Sequence, residues 1–156
     1  MQRQIIVLVM FLLLVAGCSA MKPVAPISGE KGKNVVCILF KDSRFKTEVT
    51  GKLTAALSKK GFRVVTGAVN QAKNCNASDY GAVVYMGEYW EWHTPWHMKR
   101  YFRKHDEAAN IVFVVTSGNP HVTIKKPFDA VTSASKPDRV EPVTEEILAR
   151  LDRILK

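Results

Sequence analysis

Cysteine is scarce in this 156-residue chain, with three in all and no Cys-x-x-Cys, so a thioredoxin-like exchange role has no motif to rest on. No Gly-x-Ser-x-Gly is present, and a Ser-His-Asp hydrolase would need its nucleophile on such a strained strand-to-helix turn. Acidic side chains are outnumbered, 14 against 23 Lys and Arg. No apolar run is long enough to cross a bilayer as a helix, which takes about 20 residues; the longest covers twelve, residues 5–16. No internal repeat or low-complexity tract interrupts the chain.

That twelve-residue run follows Arg3 and ends in Val15-Ala16-Gly17-Cys18, the charged, apolar, then small order of a secretory signal. An ordinary cleavage site ends small-x-small, and Val15 breaks that pattern. A cysteine directly after the small pair resembles the lipobox of bacterial lipoproteins. The resemblance implies that residues 1–17 are removed and that Cys18 becomes an acylated N-terminus. Ser19 in place of aspartate implies the outer membrane where an envelope has two membranes. Residues 18–33 carry two prolines and two glycines without an apolar period, and read as a tether. About 120 residues remain, one core's worth. Loss of the leader removes only Arg3, leaving 22 basic against 14 acidic side chains. On an exported, membrane-anchored chain, that balance points to anionic head groups, an acidic envelope polymer or an envelope protein, and away from nucleic acid. Solubilising charge spread over helix surfaces explains it equally well.

Residues 35–40 form an apolar run without alternation, the pattern of a strand covered on both faces. A helical period follows, with Val49, Leu53, Ala56 and Leu57 on one face, and Gly61 stops it. Residues 63–67, 82–86 and 111–115 read as further strands. A second helix is expected after Pro95, with Trp96, Tyr101 and Phe102 inward, and a last helix capped near Thr144 that buries Ile147, Leu148, Leu151, Ile154 and Leu155. Residues 128–134 are a candidate fifth strand. Only residues 118–127 separate it from the fourth, so it is expected to run antiparallel or to pair irregularly at the edge. Strands alternating with helices predict an α/β domain over residues 34–156: a three-layer open sheet, mostly parallel, of four to five strands. Ligands of such sheets bind beyond the carboxyl ends of the strands. Three loops occupy that edge: 41–46, 87–95 and 116–122.

Asp42-Ser43-Arg44-Phe45-Lys46-Thr47 leading into the first helix, residues 83–90 running on into a Lys- and Arg-rich helix, and Val114-Val115-Thr116-Ser117-Gly118 closing the fourth strand resemble the flavodoxin-like family. The resemblance implies flavin mononucleotide (FMN) held non-covalently at the three loops, for electron transfer. Its phosphate would lie at the start of the first helix, where free N–H groups and the helix dipole favour an anion. Ser43 and Thr47 would supply hydroxyls there, and Arg44 and Lys46 charge. Phe45 and Lys46 occupy the middle of that loop, where the family carries a glycine. Glu88, Tyr89, Trp90 and Trp92 would flank the flavin ring, and Thr116, Ser117 and Gly118 the third loop. Indoles suit a planar ring, and equally suit a partner surface. A cofactor-free binding module that turns this aromatic, basic edge toward an envelope partner is the alternative reading.

Of the smaller motifs, His93 and His97 lie four apart, but Pro95 between them disfavours one helix and no ligand set completes a metal site. Thr132 sits in an Asp-Ala-Val-Thr-Ser-Ala run that faintly resembles a covalent flavin-attachment sequence and is read as structural. An oxidising envelope would permit a Cys37–Cys75 bridge, yet Cys37 inside its apolar run packs most simply as a buried apolar side chain.

Overall fold

A computed structural model describes residues 30–89, 93–119, 121–124 and 128–156. Five strands, β1 (Gly32–Phe40), β2 (Arg63–Ala68), β3 (Tyr80–Glu88), β4 (Ile111–Ser117) and β5 (Ala130–Ala134), form one sheet in the order β2-β1-β3-β4-β5. Every neighbouring pair is parallel. β1 begins at Gly32, two residues before the expected domain boundary. Its unbroken apolar run has a direct cause: it lies between β2 and β3, and both of its faces are buried. Val36, Ile38 and Phe40 point to one face, and Val35, Cys37 and Leu39 to the other.

The first face is covered by two long helices, α1 (Arg44–Lys59) and the C-terminal helix (Val140–Ile154). α1 buries Phe45, Val49, Leu53 and Leu57, and the C-terminal helix buries Val140, Val143, Ile147 and Leu151, each at three- to four-residue spacing. α1 ends as its sequence predicts. Gly61 takes φ +85°, and the N–H groups of Gly61 and Phe62 donate to the carbonyls of Ser58 and Leu57, satisfying the last turn. The C-terminal helix starts four residues earlier than expected. Its first turn holds Pro142, which needs no donor there, and the Thr144 hydroxyl donates to the Val140 carbonyl inside the helix instead of capping it.

The opposite face is covered more thinly. Between β2 and β3 the chain makes two 3-10 turns, Val69–Asn74 and Ala77–Asp79, instead of a helix. α2 (Trp96–Lys104), between β3 and β4, has only nine residues and buries Met98 and Tyr101; the C-terminal helix is therefore α3. Trp96 was expected inward and is 67% exposed. It stands at the first helical position, with the Arg100 guanidinium 5.9 Å from its ring centroid. Met98 seats α2 on β3, where a side chain at Gly87 would collide with its sulfur.

β5 corrects the expectation of an antiparallel or irregular edge: it pairs with β4 in parallel and in continuous register from Phe113–Ala130 to Ser117–Ala134. The strand begins at Ala130, so residues 118–129 connect it to β4. A dozen residues suffice for a parallel crossover, and no helix lies among the described ones. Ile124 and Phe128 do a helix's work there, both buried on the second face, with Phe128 stacked 4.1 Å from Phe113. Among the described residues no helix is long and apolar enough to cross a membrane.

Candidate functional site

The strand order places the switch point between β1 and β3, and the carboxyl ends of these two strands carry Lys41 and Glu88. α1 starts three residues beyond β1. Ser43 is its cap, with extended backbone and an Oγ that accepts from the Lys46 N–H at 3.3 Å. The Thr47 N–H donates to the Ser43 carbonyl at 2.9 Å, and the Thr47 hydroxyl donates to Asp42 at 3.0 Å. Arg44 points to solvent and pairs with Glu48. Helix capping and loop closure therefore engage both hydroxyls that the first loop was expected to offer a phosphate.

The Lys46 side chain is fully buried and runs across the switch point to Glu88, Nζ to Oε1 at 2.7 Å. Lys41 approaches the other oxygen of Glu88 at 3.5 Å. Two ammonium groups thus converge on one carboxylate and leave the crevice with an excess positive charge. Burial pushes the Lys46 ammonium below its ordinary range, the hydrogen bond and charge of Glu88 pull it partway back, and Lys41 repels it. Burial alone would raise Glu88, but the hydrogen bond from Lys46 and the charges of both lysines outweigh it and hold the carboxyl below the usual range. The cleft beside this pair has a volume of about 550 Å³, and Lys41, Gly87, Glu88, His93, Thr94 and Lys99 line it.

The third loop is closed on itself. Thr116 is buried and donates to the Gly87 carbonyl at 3.3 Å, its own carbonyl accepts from the Tyr89 N–H at 2.7 Å, and Ser117 Oγ accepts from the Asn119 N–H at 2.8 Å. Gly118 follows at the surface. Tyr89 is half-buried against the second-face core. Trp90 and Trp92, and Cys18 with them, lie outside the described residues.

A second, more apolar cleft of about 570 Å³ opens between α2 and the Val69–Asn74 turn, with Tyr85, Tyr101, His97 and Trp96 in its wall and Arg100 and Lys104 at its rim. The Tyr85 hydroxyl lies 2.9 Å from His97 Nδ1 and donates to it in the tautomer that carries its proton on Nε2. Burial, then the charge of Lys41, push His97 below its ordinary value of 6.5, and burial does the same to His105. The unfolded chain therefore takes up protons near pH 6.5 that the folded chain refuses, and stability falls as pH drops from neutrality through the folded values. Thermal unfolding of the wild type should show this loss between pH 7 and 5, and His97→Asn should shrink it; an unchanged slope in the variant would remove His97 from the explanation.

Lys41 and Lys99 were not anticipated as site residues, although a lysine directly after a strand that ends at the ligand edge is a readable signal. The Tyr85–His97 pair carries no such signal, because residue 85 reads as strand and 97 as helix.

No family model and no curated protein matches this chain. Solved structures do match it. A flavo di-iron protein mutant from Thermotoga maritima superposes with a TM-score of 0.56 at 16% identity, over 81% of this chain and 37% of the other. Oxidised flavodoxin 2 from Bacillus cereus gives 0.52 at 9% identity, over 76% of this chain and 98% of the other. A flavodoxin from the domain Archaea gives 0.52 at 6%, over 78% and 99%. The chain thus spans little more than a third of the di-iron protein and nearly the whole of each flavodoxin. At such identities the likeness is one of fold, and the fold of this domain is flavodoxin-like.

Proposed function

We propose that this domain binds an anionic, planar ligand at the carboxyl edge of its sheet, FMN being the member of that class implied by the resemblance. The carrying observation is the convergence of Lys41 and Lys46 on Glu88 at the switch point, which leaves the adjoining cleft positive. The fit to FMN is divided. Ammonium groups suit a phosphate, whereas Thr47 and Thr116 already donate to Asp42 and the Gly87 carbonyl and only Ser43 and Ser117 keep an O–H to give, so phosphate would be held mainly by charge through Lys41 and Lys99. FMN, when bound, would supply one- and two-electron redox chemistry, and this chain's part is to bind and orient it.

In the same reading Cys18 is acylated and the chain between it and Glu30, which pairs with Arg63, tethers the domain to an envelope membrane. The tether would enter at the amino end of β1, and all five strands are parallel, so the ligand edge would face away from the lipid, open to partners. Intact mass of protein extracted from membranes should show acyl chains, and Cys18→Ser should lack them; wild type without acyl mass would remove the anchor.

All three tryptophans lie within residues 90–96, so indole fluorescence reports on this one edge. Titrating the full chain with FMN should quench it. Lys41→Gln should weaken binding about two- to fivefold, the scale of an exposed charge pair, and Thr47→Ala should leave it unchanged. No quenching and no heat at millimolar FMN would overturn the ligand reading.

One observation favours a second reading, a cofactor-free surface for an acidic envelope protein or polymer. Trp96 and Arg100 stand exposed on α2 beside Lys99 and Arg103, an aromatic and cationic pairing typical of partner interfaces.

A further inference from the structure

Cys37 lies at the middle of β1, and Cys75 closes the Val69–Asn74 turn; both are fully buried. Their sulfurs are 3.1 Å apart, about 1 Å longer than a disulfide bond. We infer that Cys37 and Cys75 form a disulfide in the mature chain, stapling the β2–β3 crossover to β1. The crossover needs such a tie. Parallel connections are ordinarily held by a helix's apolar face, but among residues 69–79 only Ala72, Cys75 and Ala77 are buried, and their side chains are small. The Tyr101 hydroxyl holds the Cys75 end in place, donating to its carbonyl at 3.1 Å and lying 3.7 Å from its sulfur.

The oxidant is an external disulfide, of a protein or of glutathione, as found in the oxidising compartment to which the anchored reading assigns the chain. Cys75 is the attacking sulfur, since it sits at the end of the 3-10 segment that undocks, whereas Cys37 stays within β1. It displaces one thiol from the incoming disulfide and forms a mixed disulfide. The Cys37 thiolate then attacks the Cys75 sulfur and releases the second thiol. The cysteine pair loses two electrons, the incoming disulfide gains them, and the two protons end on the released thiols. Both sulfurs are shielded in the closed fold, so exchange happens before the 3-10 segment docks or while it is locally open.

The test does not depend on export. Full chain refolded with excess glutathione disulfide should resist alkylation at both positions until reduced, and should melt roughly 10 °C higher than the same sample in dithiothreitol. Cys37→Ala and Cys75→Ala should each melt at one temperature in both buffers. Alkylation at Cys37 and Cys75, or glutathione attached to either, after oxidative refolding, or a wild-type melting temperature indifferent to dithiothreitol, would overturn the disulfide. So would acylated chain from membranes with both thiols free, whereas absent acylation alone counts against the anchor.

Discussion

Leu39→Ala should remove about 2 to 5 kcal/mol of unfolding free energy, through lost burial and the cavity left behind. Leu39 is fully buried on the second face of β1, beside β2 and β3, at residues 67 and 85 of the register. Neighbours held on two sides by strands cannot collapse into the gap, which favours the upper part of that range. Lys59→Ala, at an exposed position in the last turn of α1, should change stability by no more than about 0.5 kcal/mol. Urea denaturation of the two variants checks the assignment. Equal midpoint shifts would mean that β1 is not a buried interior strand.

The second large effect is expected at the switch-point ion pair, and its sign depends on which partner is changed. Glu88→Gln leaves the fully buried Lys46 ammonium without its carboxylate, and should cost about 3 kcal/mol, below the worst cases for buried pairs because Glu88 itself is 35% exposed. Lys46→Met keeps the volume and removes the buried charge, while Glu88 retains solvent and Lys41; it should be within about 1 kcal/mol of wild type or more stable. The pH profile separates charge from packing. Because Glu88 is held below its ordinary value of 4.5, it stabilises the fold above that value, and the contribution disappears as pH falls through the folded value. Glu88→Gln should flatten that acid limb, and an unaltered limb would show that the pair contributes nothing in solution.

The parts of the fold that follow from local pattern were legible in the sequence. Continuous apolar runs marked β1, β3 and β4 because parallel strands are buried on both faces, and Gly61 marked the end of α1 because that position requires a positive φ. The carboxyl edge followed from the alternation of strands and helices. Features set by distant partners were not legible. Lys46 and Glu88 are 42 residues apart, so the lysine read as loop charge until the fold brought the pair together. Cys37 reads as core, which it is; its pairing with Cys75, 38 residues away, is open from composition alone, and only the fold brings the two sulfurs together. β5 misled because the crossover was presumed to need a helix, and Trp96 because nine residues are too few for periodicity to separate an inward aromatic from one at a helix start.

Riboflavin shares the flavin ring of FMN and lacks its phosphate, so comparing the two on the full chain isolates the charge of the switch-point crevice. FMN should bind at least about tenfold more tightly than riboflavin at low salt, and the difference should shrink as ionic strength rises. Equal affinity for the two, or binding of neither, would contradict a ligand site in the cleft lined by Lys41, Glu88 and Lys99.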